Sequence, residues 1–328
     1  MRRIRIDTSQ ARAIVEDAEV PRPAHGEVAV DVVFAGINMK DVKQRRGAAT
    51  ASRAGVTLPG FEVAGTVREI GSGVEGIALG DAVVARASVA GFADVAICRR
   101  ELMVRLEQAD EELLRRSAAS FIAGVTAALL LEELARPRVG DSLLVHGAAG
   151  AVGTALGQFG RHLGLDPLIG TVGDEAKSEA ARNAGYTHVL VRDTMADGVR
   201  EITGGRGVDL VADPIGGEIR RTSFDLLAPM GRLLAYGRTG TDDEGLPAGQ
   251  CLRGDNRSFM GMSFGSLSEQ DPGLCAEVAA RVAQAIIDGI VGVPVHGTYA
   301  LDEVDAAMDA IESRATTGKL VVALSEGR

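Results

Sequence analysis

What most limits the folds open to this chain is a strand, a turn of small residues and a helix in immediate succession. Leu143-Leu144-Val145 is an apolar run of strand length, and His146-Gly147-Ala148-Ala149-Gly150-Ala151-Val152-Gly153 follows it. Val152, Ala155, Leu156, Phe159 and Leu163 then recur at helical spacing. A buried strand that passes through a glycine turn straight into an amphipathic helix opens a Rossmann-type, doubly wound α/β sheet. N–H groups at the start of such a helix, with the helix dipole behind them, attract an anion. Small residues at Ala148, Gly150 and Gly153 let the backbone approach a pyrophosphate, with Ala148 in place of the first glycine of the usual fingerprint. Ala149, Gly150, Ala151, Val152 and Gly153 are therefore expected to hold a dinucleotide; the plainer reading is a turn that only reverses the chain.

The rest of the chain is organised around that unit. From Asp141 onward strands are expected over 142–146, 168–172, 188–191, 208–212, 232–236 and 258–262, with helices between them, the order of a parallel sheet. The first hundred or so residues have short alternating runs such as Glu27-Val28-Ala29-Val30-Asp31-Val32-Val33 and read as β-dominated. Helical patterning from Glu111 to Leu134 has a nearly continuous apolar face, as for a helix buried between two domains. In the tail, helices are expected over 275–288 and near 302–313, with strands near Val295 and over 320–324 that return to the first domain. The expected division is 1–119 and 265–328 for the β-rich domain and 120–264 for the dinucleotide domain, two domains being ordinary for 328 residues. Gly240 to Gly249 is polar and glycine-rich, suiting a mobile loop.

Charge and cysteine usage exclude several roles. With 35 basic against 45 acidic residues, a formal charge of −10, neither nucleic acid nor an anionic membrane is an expected partner. Any phosphate must be held locally. Cys98, Cys251 and Cys275 are too few and too scattered for a disulfide framework or a cysteine-rich zinc site, and they read as buried or idle thiols. No signal-peptide pattern and no segment of bilayer-spanning length is evident, so a cytoplasmic protein acting on a small molecule is expected.

The end of the second parallel strand selects the cofactor. An acidic residue there bonds an unphosphorylated ribose and repels a 2′-phosphate, but here Thr171-Val172 closes the strand. Lys177 and Arg192 lie downstream, where both could reach a 2′-phosphate, so NADPH is favoured over NADH. The plainer role for both is a solvated surface charge. Asp174 would oppose a phosphate if turned inward, but is placed to cap a helix beginning near Glu175.

Several separated motifs now agree: Ala35-Gly36-Ile37-Asn38-Met39-Lys40-Asp41-Val42-Lys43, Leu58-Pro59-Gly60-Phe61-Glu62-Val63-Ala64-Gly65-Thr66-Val67, the phosphate turn, Gly204-Gly205-Arg206-Gly207-Val208-Asp209 and Thr316-Thr317-Gly318-Lys319-Leu320-Val321. In these the chain resembles, over nearly its full length, the quinone oxidoreductase-like and enoyl reductase-like branch of the medium-chain dehydrogenase/reductase superfamily. The resemblance implies a discontinuous GroES-like catalytic domain, a Rossmann domain, a cleft where nicotinamide meets substrate, and a homodimer. Zinc-dependent relatives carry a cysteine in the first motif and a histidine before glutamate in the second; this chain has Asn38 and Phe61. No metal is expected, since His25, His146, His162, His188 and His296 make no close-spaced pair either.

Asn38, Lys40 and Asp41 are the catalytic candidates. Asn38 is placed by the resemblance to contact nicotinamide and substrate, and its plainer role is a turn residue. Lys40 and Asp41 could orient one another or the substrate, or be a structural pair. Many relatives carry a tyrosine after this motif, but Gly47-Ala48-Ala49 offers none and the proton donor stays unassigned. The resemblance also puts Thr126 of the interdomain helix and Lys319 beside the cofactor, while Tyr236 and Gly237 end a strand where doubly wound folds bind ligands. The activity these residues suggest is zinc-independent, NADPH-dependent hydride transfer to an activated C=C bond or a quinone. With 3% aromatic residues and no tryptophan the substrate wall is expected to be aliphatic, which suits an acyl chain, including a carrier-bound polyketide-like one. A nonenzymatic NADPH-binding sensor is the alternative from another class.

Overall fold

The computed structural model describes residues 1–47, 57–237 and 249–324 and folds into two units, 1–122 with 272–328, and 123–271. In chain order the first segment contains β1 (Arg2–Asp7), β2 (Arg12–Asp17), β3 (Glu27–Ile37), α1 (Met39–Arg45), β4 (Glu62–Ile70), β5 (Ala82–Val89), β6 (Val95–Arg105) and α2 (Glu111–Ala128). The middle holds β7 (Leu143–His146), α3 (Ala151–His162), β8 (Leu168–Val172), α4 (Ser178–Asn183), β9 (His188–Val191), α5 (Met195–Ile202), β10 (Val208–Asp213), α6 (Gly217–Asp225), β11 (Leu227–Ala235), α7 (Gly249–Gly254), β12 (Ser258–Gly261) and α8 (Phe264–Gln270). The tail adds α9 (Pro272–Ile287), β13 (Val295–Ala300), α10 (Val304–Glu312) and β14 (Lys319–Ala323).

In the first unit six strands run in the order β13-β14-β3-β4-β5-β6, and an added β3–β6 pairing closes the last four on themselves. β3 turns alternate residues inward, and Val28, Val30, Val32, Ala35 and Ile37 join Val63, Val83 and Phe92 in one core. The tail does return here: β14 pairs antiparallel with β3, setting Leu320 opposite Ile37. That register brings Lys319 to the end of β3 where Asn38 begins a helix.

The second unit is a six-stranded parallel sheet in the order β12-β11-β10-β7-β8-β9. The order reverses at β7, whose neighbours β8 and β10 continue in opposite directions, and this switch point is where a doubly wound sheet opens a ligand crevice. Ala155, Leu156 and Phe159 of α3 are buried as the periodicity predicts, whereas Val152 and Leu163 are only half-buried. The buried face of α3 also contains Gly153, Gly157 and Gly160, which let the helix sit close to the sheet.

The unit boundaries and the apolar helix differ from what the sequence suggests. The units divide at 122/123, within α2, and at 271/272, between α8 and α9, a few residues beyond the expected boundaries. A segment long and apolar enough to cross a membrane is present after all, spanning Glu111–Ala135, and 78% of its most apolar window is buried within the protein. Its length comes from a π-helical turn, Leu129–Ala135, added to α2 and ended by a left-handed Arg136 before Pro137. The glycine-rich stretch from Gly240 lies outside the described residues, apart from Gly249 at the start of α7, as does Ala48-Ala49.

Seating α3 so closely gives a test. A Cβ on Gly157 would lie 2.7 Å from the Ala184 carbonyl oxygen and 2.8 Å from the Tyr186 ring. Alanine gains up to about 1 kcal/mol in helix propensity, but overpacking against backbone costs about 1–3 kcal/mol. We expect Gly157→Ala to destabilise the protein by about 1–2 kcal/mol in urea unfolding, and a stabilised variant would contradict the packing described.

Candidate active site

Strand order assembles a charged cluster at one end of the first unit's sheet. β3 lies between β4 and β14, with Gly36 opposite Glu62 and Ile37 opposite Leu320, so Asn38, Glu62 and Lys319 converge. Lys319 Nζ is 2.6 Å from Glu62 Oε2 and donates to Asn38 Oδ1 at 2.7 Å. Glu62 Oε1 accepts from the Ile122 amide at 2.6 Å, and Asn38 Nδ2 donates to the Gly36 carbonyl at 3.2 Å and to Glu62 Oε2 at 3.4 Å. An ammonium only donates, so the Asn38 atom facing it must be the carbonyl, and the amide orientation is chemically fixed. Gly36 has to be glycine, because any Cβ would run into the Glu62 carboxylate, the Lys319 stem and the Ala118 carbonyl.

This geometry corrects the expectation for Lys319. Its ammonium does not stand open for a pyrophosphate; it is 3% exposed and committed to a carboxylate that is 0% exposed. A carboxylate buried without a cation would cost several kcal/mol, so Glu62 captures the amine that β14 delivers.

Asp41 also proves structural. Its buried carboxylate accepts from the Asn38 amide at 2.8 Å, closing the first turn of α1, and from the Gly60 amide at 2.7 Å. Burial pushes its carboxyl from 3.8 up to about 6, against the pull of those amides and of Lys319 and Lys40. Asp41 thereby fixes α1 to the turn before β4 and offers no free atom to a substrate. Lys40, by contrast, is half-buried with its ammonium 3.9 Å from the centre of the Phe61 ring, a cation–π pair.

The second unit carries the phosphate turn. Gly150 is the N-cap of α3, with extended backbone and no side chain to cap the helix. The N–H groups of Ala151, Val152 and Gly153 have no carbonyl one turn earlier, which suits them to an anion. Ala149 is buried beneath, and Gly153 packs against the Gly147 carbonyl too closely for any side chain. The turn is also braced: Gly150 N–H donates to Gly147 O at 2.9 Å and Ala148 N–H to Thr171 O at 3.0 Å. Tyr186, whose ring lies against Gly157 and Gly170, donates its hydroxyl to the Gly153 carbonyl at 2.5 Å.

Thr171, expected beside the cofactor, is fully buried, and its hydroxyl lies 2.8 Å from His146 Nδ1. His146 Nε2 is 2.6 Å from Ser223 Oγ, and Ser223 spends its proton on the Ile219 carbonyl at 2.6 Å. Ser223 must therefore accept from Nε2–H, leaving Nδ1 to accept from Thr171. Burial holds the imidazole neutral, its pKa lowered to about 4. Thr171 supports the turn from below, and His146 is a strand-end brace.

Val172, 2% exposed, ends β8 with no acid. Just beyond it the Arg192 guanidinium lies beside Gly173, where an added Cβ would be 3.3 Å from Nη2. Lys177 is half-buried at the end of a short 3-10 turn, and Asp174 caps that turn by accepting from Ala176 N–H at 2.9 Å. Thr126 is buried on α2. Gly237 follows β11 so close to Pro214 that a Cβ would lie 2.9 Å from its carbonyl oxygen, and burial and Asp213 push the Tyr236 phenol well above its ordinary range. The sequence reading passed over Glu62, Ser223, Asp213 and Arg220. Of these Glu62 lies in the second motif, and Asp213 carried a signal of its own, Asp213-Pro214-Ile215-Gly216-Gly217 at a strand end. Among the described residues no three of His, Cys, Asp or Glu converge as metal ligands, and Cys98 and Cys275 are buried, the Cys98 thiol raised to about 12.

Comparison with known proteins agrees with both halves. Residues 24–129 match the alcohol dehydrogenase GroES-like domain and residues 151–281 the zinc-binding dehydrogenase family. A 2-haloacrylate reductase from Burkholderia sp. is 31% identical, covering 94% of this chain and 93% of that protein. A probable quinone oxidoreductase from Schizosaccharomyces pombe is 29% identical over 94% of this chain and 92% of its own. The crystal structure of Escherichia coli quinone oxidoreductase complexed with NADPH superposes with a TM-score of 0.88 at 26% identity, covering 99% of this chain and 100% of that one.

The buried ion pair gives a stability test. Lys319→Met leaves the Glu62 carboxylate buried and unpaired and is expected to cost about 3–5 kcal/mol in denaturant unfolding. Pairing it with Glu62→Gln should recover most of that loss; equal losses in the single and double variants would contradict the coupling.

Proposed function

The chain belongs to the medium-chain dehydrogenase/reductase superfamily, in its quinone oxidoreductase-like branch, and from that membership we propose an NADPH-dependent oxidoreductase that works without zinc. Its acceptor is an activated C=C bond, as in an enone or enoyl thioester, or a quinone. NADPH, when bound, supplies the hydride. The observation that carries the reading is the uncapped start of α3, followed at the end of β8 by Val172, the Arg192 guanidinium and an Asp174 already spent as a cap. These residues fit a pyrophosphate and a 2′-phosphate, with Lys177 as a further cation on the same turn.

In the first unit Asn38 and Phe61 replace the side chains that ligate zinc in related dehydrogenases, and neither suits the metal. Phe61 instead carries the Lys40 ammonium. We assign Lys40 the electrostatic work: a carbonyl or quinone oxygen held against it would be stabilised as negative charge develops there. Asn38, its amide locked by Lys319, shapes the adjoining wall. Asp41 and Glu62 act through these two as positioning residues. An acceptor conjugated to a carbonyl suits an ammonium better than a simple alcohol, whose alkoxide would need a stronger electrophile. A homodimer in the cytoplasm is the setting we expect for such an enzyme.

The test is stopped-flow oxidation of NADPH against quinones, enones and enoyl thioesters. We expect turnover with at least one class and no loss of rate after treatment with a strong chelator. Tight NADPH binding with no acceptor turned over would favour the sensor reading. Cofactor choice is tested separately: Lys177→Ala with Arg192→Ala should weaken NADPH about tenfold or more and leave NADH unchanged, since charge-assisted bonds to phosphate are worth about 1.5–3 kcal/mol. Equal effects on both coenzymes would overturn the assignment.

A further inference from the structure

The second half of the parallel sheet holds a buried ion pair that the proposed phosphate contacts do not use. Asp213 ends β10 with its carboxylate 0% exposed. Oδ1 accepts from the Ile215 amide at 2.7 Å and the Gly216 amide at 3.2 Å, and Oδ2 accepts from Arg220 Nε at 2.6 Å. Arg220, whose side chain is 13% exposed, reaches back from α6. Its Nη2 donates to the Gly237 carbonyl at 3.0 Å, and its guanidinium faces the Phe259 ring of β12 at 5.8 Å. The pair therefore ties the ends of three neighbouring strands, β10, β11 and β12. Gly216 takes a left-handed φ of 87°, and Gly237 is pressed against Pro214, so neither strand end admits a side chain.

An ion pair so buried is a poor device for stability, because its desolvation offsets much of its attraction. What it does deliver is direction: two amides are turned onto Asp213 and one carbonyl onto Arg220. A doubly wound sheet binds a dinucleotide as two mononucleotides, one on each half. The turn at 146–153 and Arg192 belong to the half formed by β7, β8 and β9, leaving the β10-β11-β12 half for the nicotinamide nucleotide.

We propose that Arg220 and Asp213 are positioning residues for the nicotinamide half of the cofactor, fixing the turn at 214–217 and Gly237 as the surface that sets the ring's pose. This rests on the NADPH reading above. Neither residue lies on the β7-β8-β9 half, so the two halves separate experimentally.

The experiment compares wild type with Arg220→Lys, which keeps the charge but cannot span Asp213 and Gly237 with a planar fork. Asp213→Asn is the companion variant should that one not fold. Three quantities are measured: affinity for 2′,5′-ADP, affinity for NADPH, and the single-turnover hydride-transfer rate with its isotope effect using NADPH deuterated at C4. We expect 2′,5′-ADP affinity within about twofold of wild type and hydride transfer slowed about tenfold or more, since small misplacements of reacting atoms are costly. Loss of 2′,5′-ADP affinity in parallel with NADPH would show a merely structural role and overturn the proposal, as would an unchanged hydride-transfer rate. Failure of wild type itself to bind NADPH would instead remove the cofactor reading on which the proposal rests.

Discussion

The close seating of α3 on the parallel sheet is the constraint from which the rest of the second unit follows. Backbone amides can grip a pyrophosphate only if no side chain stands between them and it, so the start of the helix must be bare. Gly150 and Gly153 provide that, and the price is a helix end with no side-chain cap. Support comes from beneath, through Tyr186 on the Gly153 carbonyl, Thr171 on the Ala148 amide and His146 holding Thr171. Each of these bonds is buried, where an unmade partner costs about 1–3 kcal/mol, so the turn has few alternatives to its present shape.

The first unit solves a different problem. Three strand ends bring Asn38, Glu62 and Lys319 into a space sheltered from water, and two opposite charges there must find each other. Once they do, the Asn38 amide has a single orientation. Asp41 completes the frame by tying α1 to the turn at Gly60. Lys40 then keeps its ammonium on the face of Phe61. The cluster thus holds two acids, an amide and two lysines in one frame.

The polar residues chosen from sequence were sound by type and uneven by role. For Asp41 the sequence left a substrate contact and a structural pairing both open, and for Lys319 it pointed to the cofactor, because nothing in a linear motif records that a side chain will be fully buried. Thr171 lies one residue before the end of its strand, where a cofactor contact is expected, yet His146, lying 25 positions earlier, claims its hydroxyl. Arg220 was invisible for a related reason. Its partners, Asp213 and Gly237, lie on either side of it in sequence and meet only when β10 and β11 pair.

Periodicity and local chemistry determined a good deal alone. The run from Leu143 through Gly153 into an amphipathic helix marked the strand, the glycine turn and the uncapped helix start, and Val172 marked a strand end without an acid. Those features depend on neighbours within about one helical turn or one strand, so they are written locally. Tertiary structure decided which charges meet. Whether Lys319 meets a cofactor or Glu62 depends on the register of β14 against β3, a pairing across nearly 300 positions that no local pattern encodes.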